Sequence, residues 1–141
     1  MGHELRVLPV NVERDLPAIL RVASRSFTRP WSAAVFADAL TPTTGTLAYA
    51  ARSTADQVVG YVVGQLVVDE LHIHGVAVDT AWRGQGVGYA LVRQLLARAA
   101  QRGATTATLE VRESNIAAQR LYDRIGFIRS ATRPGYYTDP A

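Results

Sequence analysis

Apolar positions near the start of the chain fall into two periods. Leu5 to Val10 reads as a short strand. From Glu13 to Ser26 the apolar residues Leu16, Ile19, Leu20, Ala23 and Phe27 lie three or four apart, which predicts an amphipathic helix. Asp15 and Pro17 stand near its start, where an acid complements the helix dipole and a proline is tolerated. Arg29-Pro30 breaks this helix. Ser32 is the expected N-cap of a second helix to Leu40, which the Pro42 to Gly45 region ends.

A β-rich block follows. Thr46 to Arg52, Val58 to Val68 and Leu71 to Val78 read as three strands, since valine density and Tyr61 favour β over α. Ser53 to Asp56 is the expected hairpin turn, and Asp69-Glu70 the expected tight connection. A glycine-rich stretch then opens a helix to about Arg102, with Val87, Leu91, Leu95 and Ala99 on one stripe and Gly103 as terminator. Thr105 to Val111 is a strand. Asn115 caps a helix to Ile125 that Gly126 ends, and Phe127 to Thr132 is a last strand. The order β-α-α-β-β-β-α-β-α-β predicts a mixed α/β fold. Its sheet is largely antiparallel and turns parallel at the unit Leu71 to Val111.

Composition narrows the chemistry. The 141 residues suffice for one domain with a real core. Hydrophobic residues make up 48% and charged residues 19%, an ordinary globular balance. There is no cysteine, which removes disulfides, zinc–thiolate sites, iron–sulfur clusters and a cysteine nucleophile. No signal peptide and no membrane-spanning run is visible, so a cytoplasmic protein with no membrane partner is expected. The net charge of +3 is mild and suits an anionic ligand. No dense basic cluster with interleaved aromatics is present, so a nucleic-acid partner is not expected.

The stretch WRGQGVGYALV, Trp82 to Val92, clears side chains at Gly84, Gly86 and Gly88 just before a helix. A dinucleotide fingerprint would need glycine where Tyr89 stands, and a P-loop would need lysine followed by Ser or Thr; neither pattern is met. What remains is R-x-x-G-x-G between a strand and a helix. Helix N-terminal amides have no intrahelical partner and carry partial positive charge, so glycines there let several amides converge on one anion. A plain strand-to-helix turn would look the same in sequence.

With this motif the chain resembles the GNAT acetyltransferases, whose acetyl-coenzyme A motif is [RQ]-x-x-G-x-[GA]. The resemblance covers nearly the whole chain. It is carried further by Pro30-Trp31-Ser32, by LHIHGVAV (residues 71–78), by LEVRESNIAAQRLYDRIGF (109–127) and by RPGYY (133–137). These are similar to the subgroup that acetylates the N-terminal alanine of a ribosomal protein. The resemblance implies the GNAT fold, with splayed central strands in a mixed sheet flanked by helices. It implies acetyl-coenzyme A as co-substrate, no metal, and a protein or peptide N-terminus as acceptor, ribosomal in the favoured case. Val76, Ala77 and Val78 would offer backbone groups to the pantetheine arm. Gly84, Gln85, Gly86, Val87, Gly88 and Tyr89 would wrap the pyrophosphate, with Arg83 a phosphate contact. Asn115 would bond the cofactor near its acetyl end, Tyr122 would be the general acid and Glu110 the general base. Trp31 and Tyr137 would frame the peptide groove.

Blander readings stand beside these. Glu110 alternates with Leu109 and Val111 and suits a solvent-facing carboxylate paired with Arg112. Tyr122 suits core packing with its hydroxyl at the rim. Arg83 suits an exposed loop arginine. Phe27, Trp31, Tyr136 and Tyr137 suit core or loop anchors. His72 and His74 form H-x-H on one strand face without an evident third ligand, so packing or substrate contact is expected rather than a metal. The family continues past its RPGYY-like stretch into a final strand, so this chain is read as a single domain, residues 1–141, cut short at that strand or lacking it. The open sheet edge would allow a monomer or a weak dimer. Gly75 stands where the family often carries asparagine. The other acceptors left open are different protein N-termini, lysine side chains and small amines. Outside catalysis, a non-catalytic acyl-coenzyme A-binding module remains, and behind it a nucleotide-binding protein.

Overall fold

The computed structural model describes residues 5–26, 31–41, 45–111, 115–129 and 136–138. Among the described residues seven strands and four helices follow the order read from sequence, with one strand more at the end. They are β1 (Arg6–Pro9), α1 (Val12–Ser26), α2 (Ala33–Leu40), β2 (Thr46–Arg52), β3 (Val58–Val67), β4 (Glu70–Val78), α3 (Val87–Gln101), β5 (Thr106–Glu110), α4 (Ile116–Ile125), β6 (Ile128–Arg129) and β7 (Tyr136–Thr138). The sheet order is β1-β2-β3-β4-β5-β7-β6. Every pairing is antiparallel except β4 with β5, which the crossover through α3 makes parallel. The mixed sheet expected from the element order is therefore present.

Helices cover both faces. Ile19 and Val22 of α1 and Phe36 and Leu40 of α2 pack on Tyr61, Val63 and Ala77. On the other face Leu91, Leu95 and Ala99 of α3, with Tyr122 of α4, pack on Leu71, Ile73 and Leu109. The sequence stripe Val87, Leu91, Leu95 and Ala99 is buried throughout, so the 3.6-residue period marks the core face of α3. Both capping expectations hold: Val35 N–H donates to Ser32 Oγ at 3.2 Å, and Ala118 N–H to Asn115 Oδ1 at 3.1 Å. Gly103 (φ +98°) and Gly126 (φ +114°) follow α3 and α4 in the left-handed conformation that ends a helix. No helix among the described residues is long and apolar enough to cross a membrane.

Four details differ from the sequence reading. The β3–β4 turn is Val68-Asp69, not Asp69-Glu70. Val68 takes φ +58°, a conformation a β-branched residue rarely adopts, and no composition signal marks it. A 3₁₀ turn at Thr80–Trp82 precedes the glycine loop. Tyr136 and Tyr137, read as core or loop anchors, stand in a strand, β7, which lies between β5 and β6. Of the last strand read over Phe127 to Thr132, the described part is Ile128–Arg129, while Phe127 is buried with its ring edge-on to Tyr122 at 5.6 Å. Residues 130–132, Phe27, Arg29-Pro30, residues 42–44 and Arg112 lie outside the described residues.

Candidate functional site

β4 is where two local irregularities meet. Its register with β3 shifts between Val63 and Gly64: Val63 faces Gly75 and Gly64 faces Ile73, which leaves His74 as the extra residue of a bulge. Alternation flips there. Leu71 and Ile73 belong to the α3/α4 core before the bulge, whereas after it Ala77 belongs to the α1/α2 core and Val76 and Val78 return to the α3/α4 side. Gly75 has nothing within 4 Å of a built Cβ, so packing does not demand glycine there. Pairing with β5 stops at Ile73–Leu109, although β4 continues to Val78. Among the described residues the two parallel strands pair no further, and Val76 to Val78 have β3 as their sheet neighbour. This is the splay expected for the central strands.

The splay opens into a groove of about 420 Å³. Val76, Ala77 and Val78 line one wall, followed by Arg83, Gly84, Gly86, Val87, Gly88 and Tyr89. The opposite wall is the outer face of α4 with Asn115, Ala117, Ala118 and Leu121. Ten of the eleven expected cofactor residues, Asn115 among them, therefore meet in one place, Gln85 being the exception, with its Nε2 on the Ala81 carbonyl at 3.4 Å. Ser26, Trp82, Arg120 and Arg124 also line the groove, and sequence reasoning did not single them out. A signal was available for the arginines, which sit at i and i+4 on the helix that Asn115 opens.

The three glycines of the loop have two different causes. Gly84 (φ +77°) and Gly86 (φ +81°) adopt left-handed backbone, and a Cβ on either would meet nothing within 4 Å. Gly86 is the N-cap of α3 and gives no side-chain cap, so the first amides of a 15-residue helix open toward the groove. Gly88 is helical, and its Cβ would lie 3.1 Å from Leu121 Cδ2, so its absence lets α3 approach α4. Gly86→Ala should cost about 1–2 kcal/mol of stability through the left-handed backbone alone. It should also weaken binding of the expected pyrophosphate ligand. Urea denaturation and calorimetric titration check the two effects separately.

Charge in the groove is of one sign. Arg83, Arg120 and Arg124 are the charged residues lining it among those described, and no carboxylate does. Arg83 Nε donates to the Val78 carbonyl at 3.2 Å, which ties the phosphate-loop candidate to the end of β4. Arg25 at the end of α1 pairs with Asp79 at 3.2 Å and holds that helix beside the same loop.

Glu110, Tyr122 and Trp31 are not among the residues that line this groove. Tyr122 is buried on α4, one residue past Leu121, and burial pushes its phenol pKa well above the usual value, so the hydroxyl stays protonated. Glu110 ends β5 in an exposed position, in register with Tyr136 of β7; Tyr137 is in register with Leu109. Alternation puts Glu110 on the same sheet face as Thr108, whose hydroxyl meets His72 Nδ1 at 3.2 Å, while His72 Nε2 meets Glu70 at 3.0 Å. His74 follows on that face, with its ring 6.3 Å from Trp31. Desolvation, then the neighbouring His72, lowers the His74 pKa. Since Ile73 faces Leu109, Glu110 follows on β5 where His74 follows on β4. Trp31, His74 and Glu110 thus gather on the α1/α2 face of the sheet, across the splay from the cationic groove. The two histidines share a face as expected, and among the described residues no group of three His, Cys, Asp or Glu side chains is placed to hold a metal.

Comparison with known proteins places this geometry. The Acetyltransferase (GNAT) family profile matches residues 16–127. The [Ribosomal protein bS18]-alanine N-acetyltransferase of Escherichia coli K12 is 35% identical over 124 residues, 87% of this chain and 81% of that protein. The crystal structure of the ribosomal-protein-S18-alanine N-acetyltransferase from Escherichia coli superposes with a TM-score of 0.81 at 29% identity, covering 96% of this chain and 89% of that one. A PaiA N-acetyltransferase from Thermoplasma acidophilum, solved in complex with coenzyme A, shares the fold with a TM-score of 0.81 at 14% identity, over 98% of this chain and 97% of that one.

Proposed function

Because the chain belongs to the GNAT acetyltransferase family, we propose that it moves the acetyl group of acetyl-coenzyme A to a protein N-terminal α-amine, that of the alanine opening ribosomal protein bS18. The acceptor is taken from relatives at 31–35% identity that carry this activity in their names. The observation that carries the reading is the splay. A strand edge at Val76 to Val78, with no β5 partner among the described residues, faces a cationic groove that begins at the uncapped start of α3. A pantetheine arm supplies amide groups for such an edge, and a pyrophosphate suits such a helix start.

The chemistry needs few groups. The attacking amine must be neutral, and an α-amine with a pKa of about 7.7–8.0 is partly so near neutral pH. Glu110, at the end of β5 on the face that carries Trp31 and His74, takes the proton the amine loses as its nitrogen bonds to the thioester carbonyl carbon. Backbone N–H groups of the splayed β4 edge stabilise the oxyanion that forms. As the C–S bond breaks, Tyr122 gives its phenolic proton to the departing sulfur; its buried hydroxyl is held in the protonated form that this step requires. Asn115 orients the donor at the start of α4, where its Oδ1 already caps the helix. The whole sequence is read as one acetyltransferase domain working in the cytoplasm.

Coenzyme A release with a panel of acceptors tests this reading. The panel is a peptide beginning with alanine, its N-terminally blocked twin, a lysine peptide blocked at its N-terminus, and a polyamine. Turnover with the free-alanine peptide alone is expected. Turnover with the lysine peptide or the polyamine instead would overturn the α-amine assignment. Coenzyme A binding without turnover on a bS18 N-terminal peptide would leave a binding module.

A further inference from the structure

The groove that holds the glycine loop also carries a cluster of arginines at Tyr89 and along α4. Beyond Gly88 its walls are Tyr89 on α3 and Arg120 and Arg124 on α4. The Arg124 guanidinium lies 5.2 Å from the Tyr89 ring centroid and that of Arg93 lies 6.0 Å from it, so two arginines flank one ring. Arg120 and Arg124 are one helical turn apart, a like-charge spacing that costs helix stability when nothing offsets it. The ion pairs among the described residues do not include Arg120 or Arg124. Among the described residues no carboxylate lines the groove beside these arginines. The helix dipole accounts for Arg124, in the last turn of α4, but not for Arg120 or for the ring between the arginines.

Coenzyme A carries two separate anionic groups, the pyrophosphate and a phosphate on the ribose 3′ oxygen. The first is matched by Gly84 to Gly88, the α3 amides and Arg83. We propose that Arg120 and Arg124, with Arg124 held on the face of Tyr89, bind the ribose 3′-phosphate and make the protein select coenzyme A over its 3′-dephospho form. This rests on the acetyl-coenzyme A reading above. A guanidinium fork suits a terminal phosphate dianion, and stacking on Tyr89 limits the freedom lost on binding.

Calorimetric titration of the full chain with coenzyme A and with 3′-dephospho-coenzyme A tests this directly. The unaltered protein should bind coenzyme A about tenfold or more tightly than the dephospho form. In an Arg120→Gln/Arg124→Gln variant that preference should fall below about twofold, through lost coenzyme A affinity and with the dephospho form bound as before. Equal affinity of the unaltered protein for the two ligands would overturn the proposal and leave the acetyltransferase reading standing. A variant that loses both ligands in parallel would also overturn it, since the arginines would then serve the pyrophosphate or the fold. Failure of the unaltered protein to bind coenzyme A at all would overturn both readings.

Discussion

Replacing Glu110 by glutamine should lower kcat by about 10²–10⁴-fold, the usual worth of a positioned general base. Coenzyme A affinity should stay within about twofold, because Glu110 lies outside the cofactor groove. Stability should change little, since the residue is exposed at the end of β5. The substitution keeps shape and removes only the proton acceptor, so a fall confined to kcat separates base catalysis from acceptor binding, which would raise KM instead. Steady-state kinetics with an alanine peptide, paired with calorimetry for coenzyme A, reads all three quantities. Unchanged turnover would remove Glu110 from the base role and turn attention to His74, which shares its face of the sheet and whose lowered pKa favours the neutral imidazole.

The sequence was informative where one physical cause leaves one trace. Helix periodicity, Ser32 and Asn115 as caps, and the R-x-x-G-x-G spacing all point to local structure, and each local structure is present. The three glycines were harder, because absence of a side chain looks the same whatever requires it. Two of them serve left-handed backbone and the third serves contact with Leu121. Arg120 and Arg124 read as ordinary helix-surface charge until α3 and α4 are brought together, for nothing in α4 alone says which face meets the groove. β7 was missed because a three-residue strand held between two others has too little period to register. Asp15 misled in a different way. An acid in the first turn of a helix is what a dipole favours at the surface, yet this one is buried, and its cause lies on β2.

Substituting Asp15 by asparagine should destabilise the fold by about 3–5 kcal/mol, the cost of leaving a buried charge without its partner. Asp15 is 1% exposed and Arg52, which bonds it from β2, is 5% exposed. Arg14 Nε and the Asn11 amide also donate to the same carboxylate, at 3.1 and 2.8 Å. Arg52 Nη1 reaches the Asp56 carbonyl at 2.9 Å and the exposed Asp56 carboxylate at 3.3 Å, but its Nε has no partner among the described residues, so only a solvent-screened acid remains to compensate the guanidinium. Burial by itself would raise the Asp15 pKa; the hydrogen bonds from Arg14 and the Asn11 amide, with the charges of Arg52 and Arg14, outweigh it and hold the value below the ordinary one. The folded value is thus lower than the unfolded value of about 3.9, so the stabilisation is complete above that pH and is lost as pH falls through the folded value. Urea denaturation of both proteins should show a constant gap from pH 7 to about 5 that narrows below about pH 4. A gap that stayed constant to pH 2 would mean that the carboxylate charge is not what holds the pair. The effect should also reach the groove, since α1 ends at Ser26 on the groove wall and its Arg25 pairs with Asp79 just ahead of the glycine loop. Coenzyme A should therefore raise the urea midpoint of the asparagine variant as well as that of the unaltered protein, because binding to the folded state stabilises both.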